Sequence, residues 1–361
     1  MKNKVYIIIL SYKNWHDTIE CMESILRNEY PDYQVIVVDN NSPDNSMEYI
    51  KSWIEGKLDV WINPQNPLKN LSFPPLKKPI PYMFYKQEIA IKGGNCNVEK
   101  KLEEIIKNIS ISNGSTLNRT NTKYPVILIQ SNQNRGYSAG NNIGIKYALA
   151  KNDFKYIWLL NNDTVIEKNS LIELVKCAEQ KGEKTSPIGS VLLYYDKPNY
   201  IQALGAKFNI FYALGKHLYK LKTLNKASKI LNTKKIDYVI GASLLLNYKF
   251  IKDVGLLNEE YFIYFEEIDL SIRGKRKGYK IDICLNSIVY HKEAITMKSM
   301  PSEFSDFYAM RNRKIFTRKY YPYLLPILYL TYIVSIFKRL KRKEFKKAYN
   351  IIKIMFGKKS L

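Results

Sequence analysis

The sequence predicts an α/β fold: a Rossmann-like, mixed but mostly parallel sheet with flanking helices, followed by a C-terminal helical extension. Three observations carry this. Residues 5–38 read strand, helix, strand, the spacing of a βαβ unit, which forces parallel strands and a right-handed crossover. Further on, β-rich runs alternate with helix-period segments between "VILIQ" at 126–130 and a helix ending near 181. Two of the β-rich runs end in an acid, Asp39 in "VVDNNS" and Asp163 in "LLNNDT". Ligands of parallel sheets bind beyond such carboxyl ends.

In chain order, residues 5–10 ("VYIIIL") make the first strand and are too short for the core of a signal peptide. Ser11 opens the loop "SYKN". Ile19, Met22, Ile25 and Leu26 recur at helical spacing and predict a helix over 16–28. The second strand covers 34–38. Residues 63–124, rich in Pro, Asn and Ser, read as an insertion with one helix around 98–109 and loop elsewhere. Regular structure resumes with a strand at 126–130, the Gly/Asn turn "SNQNRGYSAGNN" and a helix to about 151. "KYIWLLNND" supplies the fourth strand. A helix over 168–181, strands near 189–195 and 236–247, and a helix near 268–277 follow. These readings divide the chain into a catalytic-type domain, 1–300, and an extension, 301–361.

Composition narrows the function. Hydrophobic residues make up 46% of the 361, a globular chain with a sizeable core. The four cysteines are scattered without a CxxC pair, which fits reduced thiols in cytosol and neither a disulfide framework nor a zinc site. The formal charge of +24 is concentrated late: residues 311–361 hold fifteen Lys and Arg and a single acid, Glu344. A nucleic-acid binder interleaves basic and aromatic residues across its fold. Here the bases gather beside an apolar stretch, so no nucleic-acid partner is expected.

Several positions carry candidate chemistry. Asp163, with Asn161 and Asn162, shapes a turn or holds a divalent cation on a diphosphate, since magnesium and manganese take oxygen ligands and few protein carboxylates. Asp39 at a strand end suits a ribose hydroxyl or a base N–H. In "NRGYSAGNN", Gly136 allows close backbone approach, and Asn141 with Asn142 is placed to cap the next helix. Its spacing matches neither a dinucleotide fingerprint nor a P-loop. In "YFIYFEEIDLSIR", Glu266, Glu267 and Asp269 crowd a helix start and supply candidates for a general base. Asp269 and Arg273 are spaced to pair on one helix face. His291 follows a strand in "VYHKEA". Nucleotidyl transfer to a sugar phosphate remains an alternative, although "SYKNWHD" lacks the basic, Gly-rich loop that chemistry needs.

Taken in order, the strand-end Asp39, "NRGYSAGNN", "LLNNDT", "GASLLL", "FEEIDLSIR", "VYH" and "RNR" resemble the series of motifs in family-2 glycosyltransferases, most closely a rhamnosyltransferase-like branch. The resemblance covers about 1–62 and 126–320. It implies a GT-A fold and inverting transfer of a sugar, rhamnose among the options, from a nucleoside-diphosphate donor to a surface-glycan or lipid-linked acceptor. By position it implies that Asp39 meets the nucleoside and Asp163 a magnesium or manganese ion. Ser11, Asn41, Asn134, Gly136, Asn141, Asn161 and Asn162 fall around the donor, and His291 near the metal or diphosphate. Asn161 stands where some relatives carry the first acid of a D-x-D-like triplet. Glu267 takes the place of the family's base, usually Asp in a Glu-Asp pair.

Residues 320–337, "YYPYLLPILYLTYIVSIF", are uncharged and flanked by "RK" and "KRLKRK". Two prolines, five tyrosines and a short length favour a segment lying in the membrane interface. The expected location is cytoplasmic, peripheral on the inner face of the cell membrane.

Overall fold

A computed structural model of the chain describes residues 3–112, 122–224, 236–292 and 302–357. A ten-stranded sheet runs in the order β3-β4-β2-β1-β5-β11-β7-β12-β6, with β8 paired to β7. Its parallel half is β3 (Tyr82–Lys86), β4 (Val126–Gln130), β2 (Tyr33–Asp39), β1 (Val5–Ser11) and β5 (Tyr156–Asn161). β11 (Ser243–Asn247) then runs antiparallel to β5 and to β7 (Thr185–Tyr194). β12 (Lys280–His291) is parallel to β7 and antiparallel to the short β6 (Thr164–Ile166). β8 (Ile201–Ala203) closes on β7, and β9 (Ala206–Asn209) pairs with β10 (Leu214–His217) in a separate hairpin. The α/β architecture expected from the sequence is therefore present.

Alternation along β1 shows why both faces are covered. Val5, Ile7 and Ile9 join a core with α1 (Trp15–Ile25), α2 (Ser46–Ile54) and α6 (Ser170–Lys181). Tyr6 and Ile8 join a second core with α5 (Gly136–Lys151), α7 (Tyr248–Val254) and α8 (Glu266–Arg276). Burial on both faces is what near-continuous apolar strands demand.

Several boundaries differ from the sequence reading. α1 stops at Ile25 because Asn28 turns its amide onto the Ile25 carbonyl (2.7 Å) and accepts from Tyr30 N (2.9 Å). α5 begins at Gly136, so Asn141 and Asn142 lie inside the helix and cap nothing. Asn141 donates back to the Tyr137 carbonyl, and Asn142 ties the helix to the Leu257 carbonyl. The insertion holds α4 (Cys96–Ser112), as expected, but also the short α3 (Gln87–Ala90) and an edge strand, β3, where loop was expected. Of the strand expected at 236–247, regular pairing is confined to Ser243–Asn247, with Tyr238 bridging Ala206.

After 301 come α9 (Ser302–Tyr320), α10 (Leu325–Lys341) and α11 (Phe345–Met355). Phe307, Phe316, Leu328, Tyr332, Ile351 and Ile354 of these helices share a third core with Phe265 and Ile268 at the start of α8. One buried carboxylate pins that contact. Asp269 accepts from Arg273 (2.6 Å), Lys319 (2.7 Å) and Tyr320 (2.6 Å). Burial pushes the Asp269 carboxyl up, and these donors more than reverse it, so it sits below its ordinary range. Breaking a buried ion pair costs about 3–5 kcal/mol. Asp269→Ala is expected to lower unfolding stability by about that amount, read as a lower urea midpoint with an unchanged slope.

Candidate active site

β1, β2, β4 and β5 are mutually parallel in the sheet, so their carboxyl ends share one edge. A cavity of about 310 Å³ opens there, within the usual size for a small-molecule site. Leu10 near the end of β1 and Tyr12 after it, Asn40 after β2, and Asn161 at the end of β5 with Asn162 and Asp163 beyond it line it. The turn before α5 adds Asn134, Gly136 and Tyr137. Gly136 has φ of +85°, and a Cβ there would stand 2.0 Å from the Phe262 carbonyl oxygen, so glycine is required for the turn to close on the 262 loop. Tyr137 N donates to that same oxygen at 2.7 Å.

At one end of the cavity, His291 Nε2 lies 3.1 Å from Asp163 Oδ1. The other ring nitrogen, Nδ1, is 2.7 Å from Gln202 Oε1, an acceptor, so Nδ1 carries a proton and Nε2 is turned toward the carboxylate. Burial pushes the Asp163 carboxyl up, but His291 and then Lys292 draw it below its ordinary range. Among the described residues no cluster of three or more His, Cys, Asp or Glu is arranged to hold a metal. A carboxylate oxygen and an imidazole nitrogen this close, with two amide side chains beside them, still suit magnesium or manganese, whose remaining ligands are commonly phosphate oxygens and water.

The entry to α8 also lines the cavity. Tyr264 (φ +70°) and Phe265 (φ +75°) are both left-handed, a conformation that costs bulky residues about 1–3 kcal/mol each and collects at functional sites. Asn312 holds them: its amide donates to the carbonyls of Ile263 (2.7 Å) and Tyr264 (3.0 Å). This turn delivers Glu266 and Glu267 into the cavity wall. Burial holds the Glu267 carboxyl up at about 7. Glu266, buried and beside Glu267, is pushed well above its ordinary range by burial first and its neighbour second. Among the described residues, neither Glu266 Oε2 nor Glu267 Oε2 has a hydrogen-bond partner.

Of the residues singled out by sequence, Asn134, Gly136, Asn161, Asn162, Asp163, Glu266, Glu267 and His291 meet around this one cavity. The others lie outside its lining. Asp39 spends its carboxylate on Ser42 N (3.1 Å) and Gln130 Nε2 (2.8 Å). Ser11 bonds Thr18. Asn41 is exposed, with φ of +58° at the turn after β2. Asn141 bonds within α5. Asp269, one of the three candidate carboxylates, faces α9 as described and is not part of the wall. Sequence reasoning missed Asn40, whose amide reaches Asn134 Oδ1 (2.9 Å) and the Gly136 carbonyl, although it stands in the same "DNN". It also missed Tyr137 and Phe262, and His217, which arrives on a hairpin with no local signal.

The lining of this one cavity thus brings together an acid–imidazole pair and two adjacent buried carboxyls. Residues 6–68 match the family described as Glycosyl transferase family 2, and residues 115–317 match Glycosyltransferase like family 2. The second match spans more than half of the chain, and the chain belongs to glycosyltransferase family 2. It is 26% identical over 229 residues to the low-salt glycan biosynthesis hexosyltransferase Agl10 of Haloferax volcanii, covering 63% of this chain and 71% of that one. To rhamnosyltransferase WbbL of Escherichia coli it is 24% identical over 156 residues, 40% of this chain and 56% of the relative. Among solved structures, the mannosyltransferase PcManGT from Pyrobaculum calidifontis, in complex with GDP-Man and Mn2+, aligns with a TM-score of 0.48 and 10% identity, over 99% of this chain and 87% of its own.

The raised Glu266 carboxyl has a consequence for stability. The folded state binds its proton more tightly than the unfolded state, so its contribution is lost as pH rises above the unfolded value of about 4.3. Glu266→Gln is expected to leave the melting temperature nearly unchanged at pH 4 and to raise it at pH 8. Equal shifts at both pH values would refute that account.

Proposed function

We propose that the protein transfers a hexose, rhamnose being one option, from a nucleoside diphosphate to a hydroxyl of a surface-glycan or lipid-linked acceptor, with inversion at the anomeric carbon. The observation that carries this reading is the single cavity bounded by the Asp163–His291 pair and by Glu267. Glu267 accepts the acceptor's hydroxyl proton as that oxygen forms its bond to the anomeric carbon. The anomeric C–O bond to phosphate breaks on the opposite face, and the nucleoside diphosphate leaves with the electron pair. A carboxyl titrating near pH 7 is matched to such a task.

Among the described residues lining this cavity there is no Lys or Arg. Asp163 and His291 would hold a magnesium or manganese ion, whose chemistry is to offset the charge gathering on the departing diphosphate. Gln202 fixes the imidazole for that role, the usual support of a metal-binding histidine. Asn161 and Asn162 would then meet the donor beside it. The Asp39 and Asn41 turn, with Ser11 and Asn141 behind the wall, would shape the nucleoside end.

We further propose that residues 1–300 form the catalytic domain and 301–361 an extension seated on the inner face of the cell membrane. Pro322–Lys341 is long and apolar enough to cross a bilayer by length and composition, yet polar contacts bind α10 to α9. Tyr332 reaches the Met310 carbonyl, Arg313 bonds Thr331, and Arg339 bonds Asp306. Its outer stripe, Leu330 (63% exposed), Val334 and Phe337 (68%), recurs at helical spacing, and α11 adds Phe345, with Phe356 (87%) just past its end. With Lys and Arg around it, that is the pattern of a helix lying in the interface.

Two variants test the chemistry together. Asp163→Asn is expected to weaken donor affinity in manganese, measured by calorimetry, while leaving the fold intact. Glu267→Gln is expected to keep donor affinity and lose about 10²–10⁴-fold in turnover at saturating donor. Wild-type turnover rises as pH climbs through about 7, because the base must lose its proton, and Glu267→Gln abolishes that rise. Turnover that survives Glu267→Gln but not Glu266→Gln would reassign the base.

The membrane seat is tested by flotation. The wild-type chain is expected to float with phosphatidylglycerol vesicles, and the doubly substituted Leu330→Glu, Phe337→Glu chain to stay at the bottom with an unchanged circular dichroism spectrum. High salt releases part of the wild type. Equal flotation of both chains would remove the stripe from consideration.

A further inference from the structure

A second cavity, about 520 Å³, lies on the far side of Glu267. Glu267, His217 and Tyr264 line both cavities, so they form the partition between them. Beyond the partition the walls change character: Asp306 and Ala309 come from α9, and Lys347 from α11. A base must touch the acceptor hydroxyl while that hydroxyl approaches the anomeric carbon from the side opposite the diphosphate. A carboxyl in the partition meets both demands when donor and acceptor occupy different cavities. Glu266, which lines the donor cavity alone, does not.

The second cavity carries chemistry suited to a sugar ring. Asp306 supplies acceptor oxygens, Lys347 supplies donors, and the Tyr264 ring offers a face for C–H groups. Lys347 is bonded to Glu344 at 3.0 Å and Asp306 to Arg339, so both side chains are held in place. The surroundings identify what the sugar is attached to. Phe345 and Tyr349, two positions either side of Lys347, are 62% and 56% exposed, and Phe337 and Leu340 flank Arg339 on α10 with exposed apolar surface. A water-soluble acceptor has no use for that border.

We infer that this second cavity is the acceptor subsite, and that it takes the terminal sugar of a lipid-anchored acceptor whose lipid lies along the exposed apolar faces of α10 and α11. This rests on the glycosyltransferase reading. Bond changes are those already given: the acceptor O–H proton passes to Glu267, the new glycosidic C–O bond forms, and the C–O bond to phosphate breaks.

The probes are decyl glycosides of glucose, galactose, mannose and N-acetylglucosamine, with the free sugars for comparison, applied to the full chain. Donor binding is measured in parallel with UDP-, GDP- and dTDP-sugars in manganese. Wild type is expected to show saturation transfer from the head group of at least one decyl glycoside and weaker binding, by about 10-fold or more, of the matching free sugar. Ala309→Trp, which fills the cavity, is expected to abolish the head-group signal while donor affinity stays within about 2-fold. Asp306→Asn is expected to raise the half-saturating glycoside concentration about 10-fold, again without touching donor affinity. Donor binding with no glycoside bound, or glycosides bound equally well by Ala309→Trp, overturns the subsite and leaves the transferase reading standing. Failure to bind any donor as well would bring down both.

Discussion

Two hydrogen bonds from Asn312 hold the turn that carries Glu266 and Glu267 into the cavity wall. Left to itself, the turn at Tyr264 and Phe265 would relax, since two consecutive bulky residues in the left-handed region are strained. The Asn312 amide satisfies both carbonyls that the turn exposes, and Asp269 clamps the helix that follows to the same α9. Its neighbour Arg313 reaches the Tyr212 carbonyl in the β9–β10 turn, which sets the hairpin that carries His217. A single helix far along the chain thus places the candidate base and one side of the partition together.

The two strand-end acids show how context assigns a role to one residue type. Asp39 and Asp163 both end a buried strand and read alike in sequence. Asp39 stands in register beside Gln130 of β4, whose amide it accepts, and Ser42 caps the remainder of its carboxylate. Asp163 follows the turn from β5 into β6 and meets His291 at the end of β12, the strand paired with β6. One acid is hydrogen-bonded within the wall of the sheet. The other faces the cavity with a partner that a cation could share.

Much of this was readable from residues alone, for a physical reason: strand ends, helix faces and i, i+4 pairs are local. The alternation of strands and helices, the Asp269–Arg273 pair and the gathering of Asp163, Glu267 and His291 all rest on patterns a few residues long, or on motifs in fixed order. What escaped notice was long-range. β3 sits in a Pro-rich segment and becomes a strand because β4 offers an open edge. The β9–β10 hairpin lines the site with little apolar patterning of its own; all four residues of β10 are exposed. Asn312 looked like part of a basic motif, and its target, a pair of backbone carbonyls about fifty positions earlier, leaves no mark on the residues around it.

The left-handed turn before α8 also fixes when in the life of the chain the site can come into being. During synthesis β1 to β11 and the cavity's amide-rich floor emerge from the ribosome first, and the strained turn follows with nothing yet to secure it. A nascent chain that has not yet extruded residue 312 therefore carries a floor without its base in position. The helices that complete the catalytic turn lead directly into those bearing the apolar stripe, so maturation of the site and exposure of the stripe fall in the same last stretch of translation.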